Sequence, residues 1–143
     1  MSRVDVVVNF DPAKVSAEVA TAIHAGINRA TIWGARETTR NYGSSGGGPF
    51  TRRVSKRTGR VYWSGPASPI GGYPAVRSGQ LSASTTFEPA RNFKGSFGAS
   101  VAYARHVHRT RPFLTLTVDR NKQRIRDEFA KGYRAKFEQR SAG

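Results

Sequence analysis

Two histidines flank a valine in "HVH", His106 to His108, and of all the side chains here they stand nearest to a metal-ligand spacing. On a strand they would share one face. No third ligand falls at a sensible distance: His24 belongs to a helical stretch, and the carboxylates are remote. Arg105, Arg109 and Arg111 crowd the pair with positive charge, which opposes a cation. The expectation is two exposed or hydrogen-bonded histidines and no metal. The stretch "YGSSGGGPF" lacks the Gly-Lys-Ser/Thr ending of a phosphate-binding loop and follows no strand, so it reads as a flexible joint. Ser78, Ser82 and Ser84 have no neighbouring base to activate them. The nine acidic residues are scattered, and no catalytic carboxylate pair can be named. The chain is expected not to be an enzyme and to need no cofactor.

A different chemistry is concentrated in "FTRRVSKRTGRVYW", residues 50–63. Arg52, Arg53, Lys56, Arg57 and Arg60 stand there with three aromatics and no acid. From Thr38 to Phe87 no acidic residue occurs at all, while Arg40 and Arg77 add to the basic set. Such a run is either a solvated basic loop or a contact for a polyanion. Tyr62 and Trp63 could stack on a base, but packing onto the body is the favoured expectation for both. No helix-turn-helix, zinc-finger or RNP signature accompanies the run, which argues against sequence-specific reading.

These residues need elements to position them. Residues 3–10 read as a strand, with Val4, Val6 and Val8 on one face. "DP" at Asp11–Pro12 opens a helix predicted over 12–40, whose apolar stripe runs through Val15, Val19, Ile23, Ile27, Ala30 and Trp33 or Gly34. Residues 43–76 form a long Gly/Pro-rich excursion, within which a hairpin turns near Thr58–Gly59. "VRSGQLSAS" is a short helical connector. Strands are predicted at Thr85–Phe87 and Gly95–Tyr103, with "PARNFKG" as the turn and "ARHVHRTRP" as a basic link. Val118, Ile125, Phe129, Tyr133 and Phe137 mark one face of a last helix over about 113–139.

The whole is one domain of 143 residues, expected to be α+β: a small antiparallel β-sheet packed with a long N-terminal helix and a C-terminal helix, carrying a long basic hairpin loop. There are no cysteines, which excludes disulfides and fits a reducing cytoplasm. Neither a targeting segment nor an apolar run of bilayer length is visible, so no membrane is expected. The formal net charge of +15 speaks to polyanionic partners rather than to fold.

Three pieces in order, "TGRVYWSGPASPIGGYPAVRSGQLSAS", "SVAYARHVH" and "RPFLTLTVDRNKQRIRDEFAKGYRAKF", resemble the neck and tail-completion (head–tail joining) proteins of long-tailed bacteriophages. In that family a Gly/Pro-rich segment and a proline precede a Thr-Gly-x-Leu-x-x-Ser helix start. Here Pro74, Ser78, Gly79, Leu81 and Ser84 match it, with Ser78 where Thr is usual. Tyr103, Ala104 and Val107 match a Tyr-Ala-x-x-Val segment, and Arg111, Pro112, Phe113 and Leu114 match an Arg-Pro-Phe-Leu opening of the last helix. The family's Glu-Phe-Gly-Thr loop between these last two is replaced by "HRT". The resemblance covers roughly residues 58–137, and the matched positions read physically as scaffold.

What the resemblance implies is a structural virion protein at the head–tail junction, made in the host bacterial cytoplasm. It would form a homo-oligomeric ring, a hexamer, between a head-closure (stopper) protein and the tail tube or tail terminator protein. Double-stranded DNA would pass through its channel. On this reading the cations from Arg52 to Arg60 face either that DNA or an acidic neighbouring ring. The rival expectation from the residues alone is a small non-specific nucleic-acid-binding protein.

Overall fold

The computed structural model describes residues 2–9, 11–48, 51–76 and 79–141. Phe50, Arg77 and Ser78, all named above, lie outside the described residues. The architecture is α+β, a small antiparallel sheet packed with an N-terminal and a C-terminal helix.

The sheet has three strands in the order β1 (Ser2–Val7), β5 (Lys94–Ala99), β4 (Thr85–Arg91). The central strand β5 pairs antiparallel with both neighbours, and Val4, Phe97 and Phe87 line up across it on one face. Gly95 to Ala99 are all buried. Its glycines allow close approach: a Cβ on Gly95 would stand 2.6 Å from Ile27 Cγ2, and one on Gly98 would overlap the backbone of Ser2 and Arg3. Phe97 closes the core with Ala35, Tyr42, Tyr73, Ala99, Ala104, Phe113 and Leu114.

Helix α1 (Ala17–Asn41) lies on this sheet and packs along α4 (Phe113–Ser141). The two run antiparallel, since Gly26 meets Phe129 and Gly132 while Thr38 meets Thr117. Helix α1 starts later than expected. Asp11 Oδ1 accepts the Ala13 N–H at 3.0 Å and closes a separate 3-10 turn, Pro12–Lys14. The cap of α1 is Ser16, whose hydroxyl accepts the Val19 N–H. Ile23, Ile27, Ala30 and Gly34 are buried as their spacing predicts, but Val15, Val19 and Trp33 are only half-buried. Fully covered instead is a row of small residues at four-residue spacing, Ala22, Gly26, Ala30, Gly34 and Thr38.

Three other expectations are corrected. Strand β5 stops at Ala99, not Tyr103, because its partners run out: Ser2 and Thr85 both pair with Ala99. The expected basic link is a helix, α3 (Ala104–Thr110). The turn between β4 and β5 is confined to Asn92 and Phe93, at φ 51° and 63°, the two-residue hairpin geometry whose twist matches the strands. Phe93 tolerates that conformation against His24, whose ring lies 4.8 Å away and whose Nε2 accepts the Phe93 N–H at 3.1 Å.

Helix α4 spans the expected residues, but its face is displaced. Phe113, Leu114, Thr117, Glu128 and Gly132 are the buried positions. Val118, Ile125, Phe129 and Tyr133 are half-buried, and Phe137 is exposed. A non-helical residue, Asn121 at φ −132°, breaks the rotation between the two halves of the helix. Phe129, Tyr133 and Phe137 stack along the flank at 6.3 and 5.8 Å.

Candidate functional site

Two regions hold the residues singled out from the sequence. The first is a free-standing ribbon. Strand β2 (Thr51–Val54) pairs antiparallel with β3 (Val61–Ser64), in the register Thr51–Ser64, Arg52–Trp63, Arg53–Tyr62 and Val54–Val61. The turn is closed by the Ser55 N–H on Arg60 O and the Gly59 N–H on Ser55 O, both 2.9 Å, with Gly59 at φ 70° where a side chain would be strained. Residues directly opposite each other point to the same side. One face of the ribbon therefore carries Arg52, Trp63 and the two valines, and the other carries Arg53 and Tyr62. Lys56 and Arg57 stand at the tip.

No residue from Thr51 to Trp63 is buried. Trp63 is 63% exposed and Tyr62 46%, which overturns the expectation that they pack onto the body. The reason is geometric: with two strands of four residues, the ribbon has no second layer to cover either face. Among the described residues none of its five cations forms an ion pair.

The second region is a cavity of about 470 Å³ between the Gly/Pro segment, helix α2 (Gln80–Ser84), α3 and the end of α1. Pro74, Gly79, Leu81, Tyr103, Val107 and Arg111 line it, joined by Tyr42 and Ser68. Ala104, Phe113 and Leu114 are buried in the core next to it, and Pro112 is half-buried. Gly79 precedes α2 at φ 82°. Leu81 and Ser84 are half-buried, and the Ser84 hydroxyl bonds back to Leu81 O at 3.1 Å.

Arg111 fixes the wall. Its Nε donates to Ser68 O and Oγ at 3.1 and 2.6 Å, and its Nη2 donates to Ser68 O at 2.6 Å. The Gly71 N–H reaches Thr110 O nearby. Beneath lies a buried hydroxyl chain: Tyr73 and Thr38 each meet Thr117 Oγ1 at 2.9 Å, and Thr38 and Thr117 bond back to Gly34 O and Phe113 O. It ties the Gly/Pro segment to both long helices. The Tyr42 hydroxyl meets Thr85 Oγ1 at 2.7 Å, and burial pushes its pKa up to about 12 against the opposing effect of that bond. Ala67, Pro74, Ala75, Val76, Leu81 and Val107 make most of the wall apolar, with Tyr42, Tyr103, Ser68, Ser82 and the occupied Arg111 guanidinium as its polar groups, a lining that suits an apolar side chain.

The histidine pair does not form a site. On α3, residues two apart do not share a face. His106 is exposed. His108 lies edge-on to Phe113 at 5.2 Å with Nε2 covered and unpartnered among the described residues, and burial holds its pKa below the usual imidazole value. Among the described residues no group of three or more His, Asp or Glu could hold a metal ion. No helix of the described residues is long and apolar enough to cross a membrane.

Sequence reasoning missed Ser68, Tyr42 and the Tyr73–Thr117–Thr38 chain. Only Tyr42 carried a local signal, as the aromatic just beyond the last turn of a helix that glycines end. The others are made by contacts between residues 43 to 79 positions apart. No family model, curated protein or solved structure matches this chain.

Proposed function

We propose that the chain is a structural protein of the phage neck, forming a ring that joins the DNA-filled head to the tail tube. One observation carries the reading. Among the described residues, Pro74, Gly79, Leu81, Tyr103, Val107 and Arg111 of the matched set line a single cavity, and Ala104, Phe113 and Leu114 lie in the core beside it, although they are spread from position 74 to 114. Chance matches scattered along a chain have no reason to meet, whereas parts of one inherited scaffold do.

Two further features support it. A closed ring needs a heterologous interface, in which one face of each subunit meets a different face of the next. The apolar cavity and the half-exposed aromatic row on α4 are two such unlike faces. The ribbon then projects away from the folded body, toward the DNA in the channel or onto a neighbouring ring.

The test is electron microscopy of lysates from a phage lacking the gene. Filled heads beside detached tails are the expected outcome. Normal infectious particles would sink the neck reading. The exposed basic ribbon favours a second reading, a small non-specific nucleic-acid-binding protein. That reading requires duplex binding by the isolated chain tighter than about 10⁻⁶ M at physiological salt, together with normal particles from the deletion phage.

A further inference from the structure

We propose that the ribbon Thr51–Ser64 enters a groove of duplex DNA, with one face turned to each phosphate wall. The proposal deepens the neck reading and rests on it for the presence of a duplex, but its chemistry lies in the ribbon alone. The charge distribution is the first argument. Arg52 and Arg53 point to opposite faces, and Lys56 and Arg57 cap the tip. A flat acidic protein surface would engage one face and leave the other arginine in water. A groove presents phosphates on both sides at once.

Size is the second argument. The major groove, about 12 Å wide and about 8.5 Å deep, admits a two-stranded β-ribbon. The third is composition. Each arginine stands directly across from an aromatic, Arg52 from Trp63 and Arg53 from Tyr62. Cross-strand neighbours lie about 5 Å apart at Cβ. A flat ring at that spacing is within reach of the arginine stem, and a guanidinium without an ion pair is open to a phosphate oxygen. No carboxylate between Thr38 and Phe87 competes for these cations.

The experiment is fluorescence anisotropy of the full chain with a labelled duplex of mixed sequence, across a salt series. Neutralising five phosphates gives a log–log salt slope of about −4.5, or about a 500-fold loss of affinity for a fourfold rise in salt. Replacing Arg52, Arg53, Lys56, Arg57 and Arg60 together by Gln should make the slope shallower by about that amount, whereas Arg52→Lys with Arg53→Lys should keep it. Affinity at physiological salt should fall near 10⁻⁴ to 10⁻⁶ M, roughly the range of non-specific contacts. A second readout does not depend on those variants. In a Trp33→Phe background Trp63 is the only tryptophan, and its emission should shift as duplex is added.

An unchanged slope in the neutralised chain, or a silent Trp63, overturns the proposal. So does tighter binding to a single strand of the same length, which would mean base stacking. Displacement of the duplex by polyglutamate at equal charge would point to an acidic protein partner instead, and also overturns it. None of these outcomes touches the deletion phenotype, so the ribbon and the neck reading fail separately.

Discussion

Arg111 opens the sequence Arg-Pro-Phe-Leu, and its guanidinium is held by Ser68, with Nη1 donating to Thr110 Oγ1 at 3.3 Å. Both Ser68 O and Ser68 Oγ accept from it, and Ser68 is 4% exposed, so truncation strands a buried acceptor. Arg111→Ala should cost about 1–3 kcal/mol in urea unfolding and speed hydrogen exchange at Gly71. Arg111→Lys should recover only part, because an ammonium cannot reproduce the planar fork. Glu128 behaves differently. Its carboxylate is covered while Arg29, Arg124 and Lys131 reach it at 2.7, 3.1 and 3.5 Å. The Arg29 hydrogen bond, opposed by burial, holds its pKa below the usual carboxylate value. A depressed folded pKa means the stabilisation is complete above the unfolded value of about 4.3 and is lost as pH falls through the lower folded value. Unfolding midpoints should drop on that acid limb, and Glu128→Gln should flatten it.

Among the elements, the pairing of α1 with α4 is set by glycine. A Cβ on Gly26 would stand 2.8 Å from both the Phe129 ring and Phe129 O, and one on Gly132 would stand 2.8 Å from Ala25 O. The ring can turn, but the carbonyl cannot move without its helix. Gly26→Ala gains about 1 kcal/mol of helix propensity and meets an overpacking cost of about 1–3 kcal/mol. Net destabilisation is therefore expected in thermal melting; an unchanged or raised melting temperature would show that the helices part easily. The ribbon is the opposite case. With nothing buried and no ion pair at its cations, replacing all five by Gln at moderate salt, where like-charge repulsion is screened, should leave stability within about 0.5 kcal/mol by the same measurement. A large loss would mean the ribbon is held by the body after all.

For the whole molecule, net charge is the longest-range term. At +15 on 143 residues, the few acidic partners leave most cations repelling one another. Salt shortens the range of that repulsion to about 8 Å at physiological strength. The melting temperature should therefore rise from low to moderate salt, and a fall would show that ion pairs such as those at Glu128 outweigh the repulsion. The same screening weakens any contact with a polyanion, so stability and binding should move in opposite directions with salt.

The α+β class, the two long helices and the strand near the N-terminus were legible in the sequence because each rests on a local period: valines at every second residue, isoleucines at every fourth. So was the concentration of positive charge between Thr38 and Phe87. What lay beyond reach depended on partners distant along the chain. Strand β5 ends where Ser2 and Thr85 end its ladders, and no local signal marks that point. Trp63 and Tyr62 look like packing residues by type, yet their neighbours leave them bare. Gly26 costs helix propensity by type, and only the fold sets Phe129 against it. Arg111 and Ser68 meet only after the chain has folded back. Local chemistry thus determined the two long helices, the first strand and the charge. Only the tertiary structure decided which side chains are covered and which are left free, because burial is a property of neighbours and not of residue type.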